Sequence, residues 1–89
     1  MSMDERQVKE DSTVLKSTGV YMGGPVPYRY VLRYEPKRDP SHPYTAHREN
    51  MKLVSGVWES DIRYWCSCRD NMEDAEKEYQ KKLDTEPKH

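Results

Sequence analysis

The fold is decided by the segment IRYWCSC, residues 62–68, which runs into DNMEDAEKEY, residues 70–79. In the first part, apolar side chains alternate with a period of two, which is typical of a β-strand. In the second part, Met72, Ala75 and Tyr79 recur three to four residues apart, as they do on one face of an α-helix. The junction therefore predicts a strand followed directly by a helix.

The predicted helix has a clear beginning and one apolar stripe. Asp70 or Asn71 can cap the first free amide groups, and Asp70 with Glu73 has the spacing of a capping box. Leu83 extends the apolar stripe toward the end of the helix. Because there is only one stripe, the helix is suited to cover one face of a sheet.

Four upstream or flanking segments have strand patterns of unequal clarity. Residues 28–34 alternate cleanly, with tyrosine and leucine on one face and arginine and valine on the other. Residues 44–51 form a second strand whose weak alternation leaves its register open, and residues 59–68 form a third. Residues 13–22 read as a weak strand bulged at Gly19, and their place in the sheet stays open.

Short connections between consecutive strands favour an antiparallel meander. The predicted fold is α+β: a small antiparallel sheet of three to four strands, with one C-terminal helix packed on one face. Residues 1–12 and 84–89 are charged and poor in apolar side chains, so they are predicted to be flexible tails around one domain at residues 13–83. The predicted core consists of Tyr30, Leu32, Ile62, Tyr64, Cys66, Ala75, Tyr79 and Leu83.

The composition limits the class of protein. The 89 residues are 34% apolar and 35% charged, which allows one thin core and no large enclosed cavity. No run of 18 apolar residues occurs, the first eleven residues lack an apolar stretch, and two cysteines do not make a disulfide framework. We therefore expect a cytoplasmic protein with reduced thiols, no signal peptide and no membrane association.

The net charge of -1 hides an uneven distribution. Residues 28–69 carry eight basic and five acidic side chains, whereas residues 70–89 carry four basic and seven acidic ones. The middle is therefore +3 and the C-terminal part -3. A modest basic excess permits contact with phosphate or with an acidic protein surface, and demands neither.

A candidate binding face follows from the strand alternation. If the helix covers the Tyr30 side of the sheet, the opposite face carries arginine and tryptophan side chains. This pairing is typical of protein-interaction hot spots and of sites that hold nucleic acid. The alternative is an ordinary solvated sheet face with scattered arginines. The predicted binding residues are Arg29, Arg33, His47, Arg63, Trp65 and Arg69.

Metal and catalytic sites have weaker sequence support. Cys66 and Cys68, with His42 and His47, are zinc-ligand types, but structural zinc sites normally separate two cysteines by more than one residue. A Cys66–His47 pair, or Glu59 with Asp61, has no third group to orient it. We therefore expect no metal, no cofactor and no enzymatic activity.

The resulting interpretation is a small non-enzymatic protein-binding module that acts stoichiometrically, as inhibitors and adaptors common in phages and mobile elements do. Its partner is expected to be another protein, or a second copy of the chain paired through an open sheet edge. The alternative is nucleic-acid binding. A three-stranded sheet followed by a helix, over about residues 28–83, is similar in outline to the arm-type DNA-binding modules of phage integrases and to plant AP2 domains. That resemblance implies DNA bound on the sheet face.

Overall fold

The computed structural model describes residues 3–4 and 6–85 and contains six strands and one helix in that part of the chain. All strand pairings are antiparallel, and the helix packs on the sheet. The predicted α+β class, with one C-terminal helix on an antiparallel sheet, is confirmed. The elements are β1 (Met3–Asp4), β2 (Val14–Ser17), β3 (Val20–Tyr21), β4 (Tyr28–Tyr34), β5 (Tyr44–Val54), β6 (Val57–Arg69) and α1 (Met72–Asp84).

The meander of β4, β5 and β6 forms the main part of the sheet. Ser55 and Gly56 both have positive φ angles, 52° and 80°, which is the conformation of a two-residue turn that matches strand twist. Residues 13–22 do join the sheet. β2 and β3 pair with the two ends of the free edge of β4, and Thr18 and Gly19 interrupt the strand between them. The short strand β1 pairs in turn with β3.

Two register shifts interrupt β6. Between the pairs Ala46–Ser67 and Arg48–Tyr64, β6 contains one residue more than β5, and Trp65 has a φ angle of +56°. An extra residue in a strand reverses the alternation beyond it. The prediction that Trp65 lies on the face away from the helix is therefore wrong.

The bulges also change the core. Tyr30, Leu32, Ala75 and Tyr79 are buried as predicted, and Leu83 packs against them at the edge of the cluster. Three predicted core residues in β6 are instead exposed, because the bulged strand lies at the sheet edge: Ile62, Tyr64 and Cys66.

The helix begins one residue later than the predicted capping box implies. The side chain of Asn71 accepts a hydrogen bond from the Asp74 backbone amide at 2.9 Å, so Asn71 is the capping residue. Ala75 and Tyr79 are the buried side chains of α1. Within the part of the chain described here, α1 is too short and too polar to cross a membrane.

Residues 6–13 form what we call the N-terminal strap, which lies on the sheet opposite the helix. The Trp58 amide donates to the Gln7 carbonyl at 2.9 Å, and the Lys9 amide donates to the Trp58 carbonyl at 2.8 Å. At the other end, the Tyr34 amide donates to the Thr13 carbonyl at 2.9 Å. The strap thus crosses from β6 to β4.

Much of the predicted N-terminal tail therefore packs on the sheet, because its backbone and side chains find partners there. Val8 contacts a second small core formed by Val20, Met51 and Trp58. The domain boundary at residue 13 stays a prediction. Of the predicted tail at 84–89, Asp84 ends α1, and residues 86–89 lie outside the described residues, as do residues 1, 2 and 5.

We predict that Tyr79→Ala destabilises the fold by about 3–5 kcal/mol, because it removes a buried aromatic ring from the contact between helix and sheet. Lys77→Ala, on the solvent side of α1, should change stability by less than about 0.5 kcal/mol. Urea unfolding followed by circular dichroism measures both. Equal effects of the two substitutions would contradict the observed packing face of α1.

Candidate functional site

Three of the predicted binding residues lie together, but they are not exposed. Arg29, Arg33 and His47 share the sheet face opposite the helix, as the alternation indicates. Their exposed fractions are only 1%, 2% and 0%. The prediction that they stand in solvent is wrong, because the N-terminal strap covers this face.

These side chains belong to a network that we call the ion-pair cluster. Arg29 Nε donates to Glu49 Oε1 at 2.8 Å, and Arg33 Nη2 lies 3.2 Å from both oxygens of the same carboxylate. Two acids of the strap complete the charges: Glu10 Oε1 is 2.7 Å from Arg29 Nη2, and Asp11 Oδ2 is 2.6 Å from Arg33 Nη1. The cluster consists of Glu10, Asp11, Arg29, Arg33, His47 and Glu49.

The cluster shifts the titration of its buried members. Burial opposes ionisation of Glu49, but the hydrogen bond from Arg29 and the charges of Arg29 and Arg33 outweigh it, so its pKa falls to about 2. Burial also lowers the pKa of His47 below 6.5, and the neighbouring guanidinium groups act in the same direction. At neutral pH, Glu49 is therefore ionised and His47 is neutral.

The position of the proton on His47 follows from its neighbour. Arg33 Nε donates to His47 Nε2 at 3.4 Å, so Nε2 acts as an acceptor and the proton is assigned to Nδ1. The buried Nδ1 atom has no hydrogen-bond partner in the described part of the chain. The imidazole has no exposed surface in the folded protein.

Of the remaining predicted binding residues, Arg63 lies opposite Glu49 on the same sheet face, whereas Trp65 and Arg69 lie elsewhere. Arg63 makes two hydrogen bonds to Glu35, at 2.8 and 3.0 Å, and Arg69 Nη2 lies 3.0 Å from Glu78 Oε1 of α1. Trp65 packs against the core on the helix side of the sheet. The six predicted residues therefore do not form one surface.

A different surface, which we call the aromatic groove, opens beside the helix. Its floor is a cross-strand row in which Tyr30 pairs with Arg48 and Arg48 pairs with Tyr64. The loop between β3 and β4 forms one wall, and Trp65 with the last turn of α1 forms the other. The groove has a volume of about 510 Å³. Its principal residues are Val26, Tyr30, Arg48, Tyr64, Trp65 and Lys82.

Local sequence explains both walls of the groove. Gly23 has a φ angle of +104°, a conformation that is readily available to glycine, and Pro25 and Pro27 then keep the loop out of regular structure. On the opposite wall, the bulge puts Trp65 on the same side of β6 as Tyr64. The alternating pattern of β6 gave no sign of this bulge, which is why the groove was missed.

The groove combines aromatic rings with two cations. The Arg48 guanidinium lies 4.0 Å from the centre of the Tyr28 ring, and Lys82 Nζ lies 4.7 Å from the centre of the Trp65 ring. Asn50 Nδ2 lies 3.4 Å from the Tyr64 hydroxyl. Tyr64 and Val26 are 46% and 40% exposed, so a ligand can reach apolar surface as well as charge.

The two cysteines, Cys66 and Cys68, are free thiols on β6. Burial raises the pKa of Cys66, which keeps the thiol protonated at neutral pH. Cys68 lies opposite Thr45 in the pairing of β5 with β6, and Arg38 Nη2 lies 3.5 Å from the Cys68 sulfur. Within residues 3–4 and 6–85, no group of three or more potential metal ligands comes together.

We predict that Glu49→Gln destabilises the protein by about 3–5 kcal/mol, because it leaves two buried guanidinium groups without their shared counter-charge. A domain of this size has only about 3–5 kcal/mol to lose, so circular dichroism should show a largely unfolded chain at pH 7. Glu59 forms no ion pair with any residue in the described ranges, so Glu59→Gln should stay folded. A folded Glu49→Gln protein would contradict the importance of the cluster.

The wild-type protein should lose stability progressively on acidification. His47 binds a proton more readily in the unfolded chain, so its contribution is complete above pH 6.5 and declines below it. Glu49 has its pKa lowered from 4.5 to about 2, so its contribution is complete above pH 4.5 and is lost as the pH approaches 2. Urea midpoints measured from pH 7 downward test this, and a constant midpoint over that range would contradict it.

Comparison with known proteins identifies no relative. No protein-family model, curated protein or solved structure matches this chain. The resemblance to arm-type and AP2 DNA-binding modules therefore has no support from these comparisons.

Proposed function

We propose that this chain is a small, non-enzymatic protein-binding module and that the aromatic groove is its binding surface. The supporting observation is that tyrosine, tryptophan and arginine side chains line one open concavity. These three residue types are the ones most enriched in interaction hot spots. The proposed class of protein is the one expected from the sequence. The proposed binding surface is the aromatic groove on the helix side of the sheet, not the predicted face with Arg29 and Arg33.

The dimensions of the groove suit the side chains of a partner. Its volume of about 510 Å³ falls in the range of binding sites for compact ligands, about 300–1,000 Å³. Exposed apolar surface continues beyond it, since Ile62 at 54% exposure lies two residues before Tyr64 on the same strand. A partner that fills the groove can therefore extend along β6.

The outer edge of β6 adds a second mode of contact. Its pairing with the strap is confined to Trp58, and residues 59–69 pair with no other strand than β5 in the described part of the chain. An extended partner segment can add to such an edge through its backbone and place side chains in adjacent pockets. The bulges of β6 make continuous edge pairing harder, which favours one specific partner over open-ended association.

Stoichiometric inhibition or scaffolding is the activity that such a surface can support. The groove requires no catalytic group, and a partner whose own site it covers would be blocked. A homo-oligomer through β6 is the competing use of the same edge. Nucleic-acid binding on the opposite sheet face stays a prediction. Glu10 and Asp11 of the strap already neutralise Arg29 and Arg33 there, so these arginines are not free to bind phosphate.

We predict that Tyr64→Ala weakens partner binding at least about tenfold, because truncating a hot-spot aromatic costs more than about 1.4 kcal/mol. The tagged chain is used to capture a partner, which is identified by mass spectrometry, purified and titrated by calorimetry. Leu15→Ala is the matched control, because Leu15 is 44% exposed and lies on β2 at the other edge of the sheet.

Both variants should keep the wild-type melting temperature within a few degrees, since their side chains are about half exposed. Equal partner affinities for Tyr64→Ala and Leu15→Ala would contradict binding through the groove. A chain that binds no protein but binds duplex DNA, with affinity that falls steeply with salt, would contradict the protein-binding function itself.

A further inference from the structure

We infer that the aromatic groove takes a segment of a protein partner in which a carboxylate lies next to an apolar side chain. The inference rests on the proposed function and adds the chemistry of the segment. It follows from the juxtaposition of unneutralised cations and exposed apolar surface within one concavity.

The first argument is charge. Among the described residues, the groove is lined by two cations, Arg48 and Lys82, and by no acidic side chain. Within the described residues, neither cation has a carboxylate at ion-pair distance. All other arginines there do have one: Arg6, Arg29, Arg33, Arg38, Arg63 and Arg69. Arg48 is therefore the guanidinium that the described fold leaves without a counter-charge.

The second argument is an unused donor. Arg48 Nε is buried and has no hydrogen-bond partner among the described residues. Leaving a buried donor unpaired costs about 1–3 kcal/mol, more where the group is charged. The Tyr28 ring holds the guanidinium from one face at 4.0 Å without offering an acceptor in its plane. A ligand carboxylate would supply the guanidinium with a charged acceptor, the partner that arginine favours.

The third argument is the apolar neighbourhood. Lys82 Nζ lies 4.7 Å from the centre of the Trp65 ring, so the second cation lies above an aromatic surface. Tyr64 and Val26 offer exposed apolar area in the same groove. A ligand with only charge would leave this area in water, whereas a carboxylate beside an apolar side chain uses both features.

A protein segment fits this pattern better than a nucleic acid does. A bound nucleic-acid strand needs a run of cations along its phosphates, and the groove supplies two. The helix that forms its wall carries an acidic first half with Glu73, Asp74, Glu76 and Glu78, and the chain has a net charge of -1. Both features repel a polyanion and tolerate a single carboxylate.

The test uses two probes of the same shape, 3-phenylpropionate and its neutral amide, 3-phenylpropanamide. Each is titrated at millimolar concentration into the ¹⁵N-labelled full chain, and amide and indole shifts are followed by NMR. We expect the acid to shift the signals of Tyr64, Trp65 and Lys82 and to bind about tenfold tighter than the amide, as a charged hydrogen bond predicts. Lys82→Gln and Arg48→Gln should each reduce this preference.

Lys77→Gln is the control, because it removes a cation from the same helix outside the groove, and it should keep the full preference. Arg48 contributes to packing over Tyr28, so Lys82→Gln provides the decisive variant if Arg48→Gln does not fold. Equal binding of acid and amide, binding of neither, or shifts confined to another surface would overturn the inference. An oligothymidylate that binds the groove more tightly than the acid would overturn it in favour of nucleic acid.

Failure of this inference and failure of the proposed function have different signatures. If a partner protein depends on Tyr64 but the probes show no acid preference, the function stands and the carboxylate is wrong. If the probes show the preference but no protein binds the chain, the groove chemistry stands and the protein-binding function is wrong.

Discussion

The carboxylate of Glu49, buried between Arg29 and Arg33, is the interaction on which the rest of the structure depends. It lies on the central part of β5 and its two partners lie on β4, so it fixes the register of the two middle strands. The same arginines hold Glu10 and Asp11 and thereby keep the N-terminal strap in place. A buried ion pair contributes little net stability over apolar packing, but removing one member is costly.

This arrangement explains how a chain with 34% apolar residues forms a sheet that is covered on both faces. On one face, α1 packs Ala75 and Tyr79 on tyrosine and leucine side chains of β4. On the other, the strap closes the face mainly with matched charges and with the small cluster around Trp58. The apolar residues thus form two small clusters, one on each face, and the ion-pair cluster completes the cover of the second face.

The contrast between Arg29 and Arg48 locates the surface that remains for function. Both are arginines in the middle of the sheet, one on each face. Arg29 has two acidic partners within the chain, whereas Arg48 has a tyrosine ring and an unpaired Nε. Arg29 thus stabilises the fold through its ion pairs, whereas Arg48 lies in an open groove beside exposed aromatic surface. An external acid is the complementary partner for such a group.

Local periodicity was sufficient to determine β4, the order of the meander and the buried stripe of α1, because those features depend on side chains two, three or four residues apart. The sequence also placed Arg29, Arg33 and His47 on one face. Their burial was decided by the strap, whose Glu10 and Asp11 pair with Arg29 and Arg33 from about twenty residues away in a segment with no periodicity. The bulge at Trp65 likewise depends on tertiary packing, since a non-glycine residue at positive φ costs about 1–2 kcal/mol, and contacts of its ring with the core on the helix side help to offset that cost.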